Sequence, residues 1–350
     1  ASRRDPDIRS ILLSMLWPSH KPQHRKRHAG PGKLEEQTGR AGIRVDLTEG
    51  VDARMPIVSW PPDQHRSPYP SSAIPDRFHY PNLCSASFQA PPSLEDGDTD
   101  SMIRSADIEA FHQQGYCVIR DLFGPDEIQA LRHEVLRFQR EGLVRNVRTQ
   151  GDGETLARQQ ANLQLIPLYD KSDLIRALPF DDRVVTIIST LIGDPFLLHL
   201  DQLFLKPGRH GTGTSWHQDN AYFKIGDPLK GTAMWLAIDD ATTHNGTLRL
   251  IPGSHRIAYE HKRDPFSDHH IRCWPPEAEA ETIEVAAGGA AFFCYGTAHC
   301  TGDNSTPHSR TGMAFHFLNG DHAADDLVPE GRDHRPWVTG SGASGGQSEY

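Results

Sequence analysis

The chain has 350 residues, enough for one large domain or two modest ones, and its hydrophobic fraction of 37% with a mean hydropathy of -0.56 is low for a chain that is globular throughout. Its 36 Lys and Arg against 46 Asp and Glu leave a net charge of -10, which argues against a nucleic-acid partner for the chain as a whole. Five scattered cysteines (Cys84, Cys117, Cys273, Cys294, Cys300) form no CxxC pair, so reduced thiols in a cytoplasmic setting are expected rather than a disulfide framework, and no apolar run is long enough to span a membrane.

Residues 1–101 hold thirteen of the 26 prolines, set among His, Arg and Ser, with apolar residues at neither helical nor strand spacing. Such a segment buries too little surface to offset its ordering entropy, so a disordered proline-rich extension is expected, in preference to a recognition arm. Within it, the apolar run Ile11 to Trp17 is short, its basic flank is broken by Asp5 and Asp7, and no small-residue cleavage site follows. Neither a secretory signal nor a transit peptide is expected. Met102, just before the first structured pattern, would serve as a start.

From Ser105 the texture changes. A short helix capped by Ser105 is expected to end at Gly115, followed by a strand over Tyr116 to Ile119. Pro125 opens a second helix in which Ile128, Leu131, Val135 and Phe138 recur at helical spacing up to Gly142. Residues 143–160 read as a polar loop, and Arg183 to Ile192 as a further helix ended by Gly193. Strands follow over Phe196 to Leu205, Thr232 to Ile238, Thr247 to Ile251 (after the Asn245-Gly246 turn), Thr282 to Val285, Ala290 to Tyr295 and Thr311 to Leu318. Helices first and antiparallel strands afterwards predict an α+β domain over residues 102–320, a double-stranded β-helix (jelly roll) with flanking N-terminal helices. Residues 321–350 turn acidic and then rich in Gly and Ser, and are expected to be a flexible tail.

The chemistry concentrates in Ser215 to Tyr222, which reads SWHQDNAY. In an extended segment positions two apart share a face, so His217 and Asp219 would offer an imidazole nitrogen and a carboxylate oxygen to one point. A second histidine from a distant strand would complete a two-histidine, one-carboxylate face, which suits iron(II) and leaves the opposite coordination positions open. His299, His308 and His316 all compete for that place, and His199-Leu200-Asp201 repeats the HxD spacing inside an apolar strand.

Four segments, Leu191 to Gly208, Trp216 to Phe223, Met234 to His255 and Ala298 to Phe317, together resemble the phytanoyl-CoA dioxygenase (PhyH) family of iron(II)- and 2-oxoglutarate-dependent oxygenases. The resemblance covers most of residues 102–318 and none of the first hundred. It implies that His217, Asp219 and His299 ligate Fe(II) and that Arg310, eleven positions after His299, grips the remote carboxylate of 2-oxoglutarate. A guanidinium fits that task because its planar fork pairs with a carboxylate, and Gly312, on the same face, would leave the cosubstrate room. It further places Trp235, Thr301 and Gln164 at the cosubstrate, with Asn162 beside Gln164. Asn220 and Tyr222 are candidates to face substrate, while His199, Asp201 and His316 read as structural or pocket-lining residues. Asp239 and Asp240, adjacent on a strand, point apart and should not share a site, and Cys294 and Cys300 read as small buried residues.

The expected activity is dioxygenation of a small organic substrate with dioxygen and 2-oxoglutarate, releasing succinate and carbon dioxide. In the family, halogenating members carry a small residue in place of the carboxylate ligand, so Asp219 favours hydroxylation or a related oxidation. A non-catalytic jelly-roll binding protein, or a metal-dependent hydrolase or isomerase on the same ligands, are the alternatives. Arg310 separates them, because a hydrolase would not need it. Nothing demands a coenzyme A thioester, no nucleic-acid or membrane partner is expected, and neither substrate nor oligomeric state can be read from the sequence.

Overall fold

A computed structural model describes residues 102–323 and 335–343. The proline-rich segment 1–101 and the last residues of the tail, expected to lack order, lie outside the described residues. In chain order the elements are α1 (Ser105–Gln114), β1 (Tyr116–Ile119), α2 (Pro125–Arg140), β2 (Arg145–Asn146), β3 (Leu163–Leu165), α3 (Asp173–Ala177), α4 (Asp182–Ile192), β4 (Phe196–Lys206), β5 (Thr214–His217) and α5 (Asn220–Phe223). There follow β6 (Gly231–Ala237), β7 (Leu248–Leu250), β8 (Lys262–Arg263), β9 (Ile271–Arg272), β10 (Glu281–Ile283), β11 (Ala290–Cys294), β12 (His299–Thr301) and β13 (Arg310–Asn319).

A seven-stranded sheet in the order β1-β11-β6-β13-β4-β3-β2 stands against a four-stranded sheet, β10-β7-β12-β5, and the paired strands run antiparallel. This is the double-sheet jelly roll, with helices covering the outer face of the larger sheet. Side chains alternate across that sheet as the pleat requires. On β6, Met234 and Leu236 join the helical residues Leu131, Val135, Phe138 and Ile187 in one core, while Ala233, Trp235 and Ala237 face the smaller sheet with Leu248 and Leu250. Phe292 against Phe293 on β11, and Phe315 against Ala314 on β13, divide the same way. Because both faces are covered, these strands read as continuous apolar runs and not as an alternation.

Helix ends obey local chemistry. Pro125 sits at the first turn of α2, where Glu127 Oε2 accepts from Gly124 N at 2.7 Å. Asp181 caps α4 by accepting from Arg183 N at 3.0 Å. The expected cap of α1 is displaced by one residue: Ser105 is already helical, and the Asp107 carboxylate accepts from Arg104 N at 3.3 Å. Arg104 takes the cap position, its carbonyl accepting from Asp107 N at 2.9 Å and Ile108 N at 3.2 Å while the Asp107 carboxylate closes back on the Arg104 amide.

The tail departs from expectation where its sequence is apolar. Trp337 bridges to Leu197, Val338 N donates to Phe196 O at 3.0 Å, and the Val338 side chain joins the main core. Among the described residues no helix is long and apolar enough to cross a membrane.

Candidate metal centre and cosubstrate pocket

The two sheets meet over a cavity whose walls carry His217, Asp219, His299, Arg310, Thr301 and Trp235. Strand register brings the first three together. His299 on β12 lies directly opposite His217 on β5, with ring centroids 4.2 Å apart. The donor atoms of His217, Asp219 and His299 all fall within 4.8 Å of one another. Both imidazole Nε2 atoms converge on one carboxylate oxygen, Asp219 Oδ1, at 3.7 Å from His217 and 3.8 Å from His299.

The expected strand alternation is not what joins His217 to Asp219. β5 ends at His217, and Asp219 has helical backbone angles (φ -59°, ψ -33°) as the cap of α5. The chain turns there, and the turn delivers the carboxylate. Gln218, between the ligands, is the brace that fixes it. Its Nε2 donates to Gly296 O at 2.6 Å and Ile257 O at 2.7 Å, its Oε1 accepts from Tyr259 N at 3.0 Å, and its backbone N donates to His261 Nε2 at 3.0 Å. So many hydrogen bonds on one buried residue leave His217 and Asp219 little freedom.

Each histidine is oriented by its far nitrogen. His217 Nδ1 lies 2.8 Å from Ser215 O and His299 Nδ1 lies 2.9 Å from Thr297 O. A carbonyl can only accept, so Nδ1 carries the proton in both rings and the Nε2 lone pairs face the centre. Burial, with His299 alongside, pushes His217 down to about 3, which keeps it a neutral donor. Burial works against charge on Asp219, but His299 and His316 outweigh it and hold the carboxyl well below its usual range. The second oxygen, Asp219 Oδ2, is held by His316 Nε2 at 3.2 Å. His316 therefore lines the pocket as expected and also orients the Asp219 carboxylate. His308 is on the exposed surface.

Arg310 is fully buried at the head of β13. Its Nη2 donates to Gly246 O, its guanidinium carbon lies 5.3 Å from the Trp235 ring centre, and its Nε and Nη1 have no partner among the described residues. Burial pushes the guanidinium down to about 10, though it remains charged at neutral pH. A buried cation with idle N–H groups is a demand for an anion. Gly246 itself has φ +82°, and a Cβ there would stand 2.2 Å from Gly302 O, so the turn that presents its carbonyl to Arg310 needs a glycine. Gly312 does clear space, but for Trp235, whose Cζ2 would lie 2.6 Å from an added Cβ.

Thr301 lines the same end. Its Oγ1 accepts from Lys206 Nζ at 2.8 Å and from Thr214 N at 3.0 Å, so its one proton is free to be donated. Lys206, which the sequence reading missed, is buried on β4 directly across from Arg310 in register. Its only sequence signal is a lysine closing an apolar strand. Gln164 stands behind the wall, donating to Asn162 Oδ1 at 3.2 Å, and Asn162 is the residue that lines the cavity.

The other expectations sort by partner. His199 is the residue left over where β4 slips against β13, with its Nδ1 3.2 Å from Tyr295 Oη. Asp201 faces the helical side and accepts from Leu168 N at 3.1 Å. Asn220 closes its own turn through both Ile225 N and Ile225 O, so it does not face substrate. Tyr222 lines the cavity and accepts from Ile271 N at 2.9 Å. Asp239 caps Thr311 N while Asp240 caps Ala287 N, two separate tasks. Cys294 and Cys300 are buried thiols whose burial pushes them up to about 11 and about 12.

The donor set fits iron(II): two neutral imidazoles and one carboxylate on one face, with a buried guanidinium holding unmet N–H groups nearby. A jelly roll carrying that arrangement belongs to the non-haem iron oxygenases that draw on a 2-oxo dicarboxylate. Residues 111–312, more than half of the chain, match the family model described as Phytanoyl-CoA dioxygenase (PhyH), and the chain belongs to that family. The ectoine dioxygenase of Halomonas elongata is 24% identical over 299 residues, covering 76% of this chain and 89% of its own. That of Stutzerimonas stutzeri is 25% identical over 249 residues, covering 62% and 77%. Among solved structures, the carbocyclase SnoK of nogalamycin biosynthesis superposes with a TM-score of 0.56 at 21% identity, over 68% of this chain and 97% of its own. EctD from S. alaskensis, with 2-oxoglutarate and 5-hydroxyectoine, gives 0.51 at 21%, over 66% and 83%. The chain is an oxidoreductase dependent on Fe(II), 2-oxoglutarate and dioxygen.

Proposed function

We propose that this dioxygenase hydroxylates a small organic molecule, with His217, Asp219 and His299 as its iron ligands and Arg310 as its cosubstrate anchor. The observation that carries the reading is the pair of buried Arg310 nitrogens, Nε and Nη1, left without partners among the described residues beside a three-donor face. A hydrolase on the same ligands would have no use for them. When bound, iron(II) supplies oxygen activation, with 2-oxoglutarate as the source of electrons.

The chain's own residues supply position and dryness. Arg310 Nε and Nη1 would meet the distal carboxylate of the cosubstrate, with the Trp235 ring 5.3 Å from the guanidinium carbon. Thr301, its hydroxyl oriented by Lys206 Nζ, would have its proton to donate to the same carboxylate. His316 keeps Asp219 Oδ2 occupied, which would leave Oδ1 for the metal. Tyr222, Phe223 and Phe293 wall the cavity with rings that exclude water. The ectoine dioxygenase relatives make ectoine the first compound to screen.

Anaerobic titration with iron(II) and 2-oxoglutarate tests the reading through the visible charge-transfer band of the chelate. Wild type should develop the band, His217→Ala should lose it, and Arg310→Ala should need on the order of 10²- to 10³-fold more cosubstrate, the effect of removing one partner of a buried charge pair. A metal-loaded, folded wild type without the band would overturn the proposal.

A further inference from the structure

One buried polar group on the cavity wall has no task in the iron and cosubstrate machinery. His269, in the loop between β8 and β9, lines the cavity with only 7% of its side chain exposed. Its Nδ1 lies 2.5 Å from Asp268 Oδ1, and the other carboxylate oxygen of Asp268 is paired with Arg145 on β2. The Nε2 has no protein partner among the described residues. His270 follows it, its ring 4.0 Å from that of His269 and stacked parallel to that of His217 at 6.4 Å. The pair therefore stands two rings away from the metal ligands.

The loop that carries His269 is tied down. Asp268 N donates to Val147 O at 3.1 Å, Gly153 N to Pro265 O at 2.7 Å and Thr149 Oγ1 to Pro265 O at 2.5 Å. Ser267 Oγ accepts from both His269 N and His270 N, at 3.4 and 3.3 Å. An imidazole held this firmly on a cavity wall, with its Nε2 unpaired among the described residues, is pre-organised for a ligand.

We propose that His269, oriented by Asp268, accepts a hydrogen bond from a neutral O–H or N–H group of the substrate, so that the enzyme takes donor-bearing polar molecules and rejects those presenting a carboxylate or phosphate at this wall. The inference rests on the reading of the chain as a small-molecule oxygenase. Its logic is one of proton inventory. A carboxylate held by Arg145 can only accept, so Nδ1 carries the ring proton and Nε2 presents a lone pair. Burial, the larger effect, and the cations Arg145 and Arg263 push His269 down, opposed by Asp268, so the ring is neutral at neutral pH. An acceptor-only anion would find a lone pair facing it and a negative charge behind. A donor finds a partner already aimed.

The test uses three probes of one ring size, cyclohexanol, cyclohexyl methyl ether and cyclohexanecarboxylate. Their dissociation constants are measured by anaerobic calorimetry on protein loaded with iron(II) and 2-oxoglutarate. Wild type should bind the alcohol about 3- to 10-fold tighter than the ether, the worth of one neutral hydrogen bond, and the carboxylate most weakly. His269→Leu should make alcohol and ether equal, and His269→Gln, which keeps an acceptor, should restore the preference. In Asp268→Asn the amide can donate to Nδ1 and move the ring proton to Nε2, so ether and carboxylate should gain on the alcohol. A purely structural role for Asp268 would weaken all three alike. An ether or carboxylate that binds wild type as tightly as the alcohol, an alcohol that does not bind, or a preference that survives His269→Leu overturns the inference. The chelate band in the same samples keeps the two questions apart: a band without the preference removes only this inference, whereas no band removes the oxygenase reading beneath it.

Discussion

At the scale of single residues, the cosubstrate end of the cavity is built by clearance as much as by contact. Gly312 lies on β13 two positions beyond Arg310, on the face that holds Trp235. An added methyl would stand 2.6 Å from Trp235 Cζ2 and 2.9 Å from its Cε2, and the neighbour is a rigid ring buried to within 3% of its surface. Gly312→Ala must therefore push the indole away from beneath the guanidinium. The cost of such overpacking is about 1–3 kcal/mol. The expected result is 2-oxoglutarate affinity roughly tenfold weaker, with metal binding by His217, Asp219 and His299 retained. Titration of the chelate band against cosubstrate at saturating iron(II) measures the first, and iron(II) affinity without cosubstrate measures the second. Unchanged cosubstrate affinity would show that the Trp235 plane does not matter to Arg310.

At the scale of elements, the ligand turn depends on one cross-brace. Gln218 joins the end of β5 to the segment at 254–259 and to Gly296, just before β12. In Gln218→Leu the acceptors at Ile257 and Gly296 and the donor at Tyr259 lose their partner in a buried setting, which costs about 1–3 kcal/mol for each group left unmet. Urea denaturation should show a loss of at least ~2 kcal/mol, and iron(II) affinity should fall on the order of 10- to 100-fold, as when groups that orient ligands are removed. Stability lost without metal affinity lost would confine Gln218 to folding. This brace also marks where sequence reading stops. That His217, Asp219 and His299 would converge, with Arg310 on the same cavity, could be anticipated because side-chain identity and spacing survive any local geometry. The long strands β4, β6, β11 and β13 and the helices α2 and α4 were legible through their apolar runs. Strands β5 and β12, four and three residues long, carry too little pattern to show a period, and the helical turn at Asp219 has no signature apart from its partners. Lys206, Gln218 and His261 are ordinary polar residues in sequence. Their meaning lies in long-range contacts, as between Gln218 and His261, 43 positions apart, or Lys206 and Thr301, 95 apart.

At the scale of the whole molecule, the layers are held by a mostly apolar interior in which few polar groups are tolerated, and Asp201 is one of the costly ones. It points from β4 into the helical layer, fully buried, with Oδ1 on Leu168 N at 3.1 Å and Oδ2 without a partner among the described residues. Burial, its largest influence, pushes the carboxyl up to about 7. In the unfolded chain the same group titrates near 4. The sign follows from linkage. A carboxyl raised in the folded state contributes stability that is fully present below about pH 4 and is lost as pH rises to about 7, because the unfolded chain releases its proton first. Above about pH 7 both states are ionised and the loss is constant. Asn keeps the acceptor for Leu168 N and carries no charge at any pH. Asp201→Asn should thus match wild type near pH 4 and exceed it at pH 8 by on the order of 2–4 kcal/mol. Urea unfolding of both proteins at pH 5, 6, 7 and 8 reads the difference directly, since every other titrating group cancels between them. A gap that widens through pH 7 and then levels identifies Asp201 as a site where the jelly roll carries a buried acid at the expense of stability. A gap that narrows with rising pH would mean that the ionised carboxylate is the form the fold prefers, and that its second oxygen has a partner in solution.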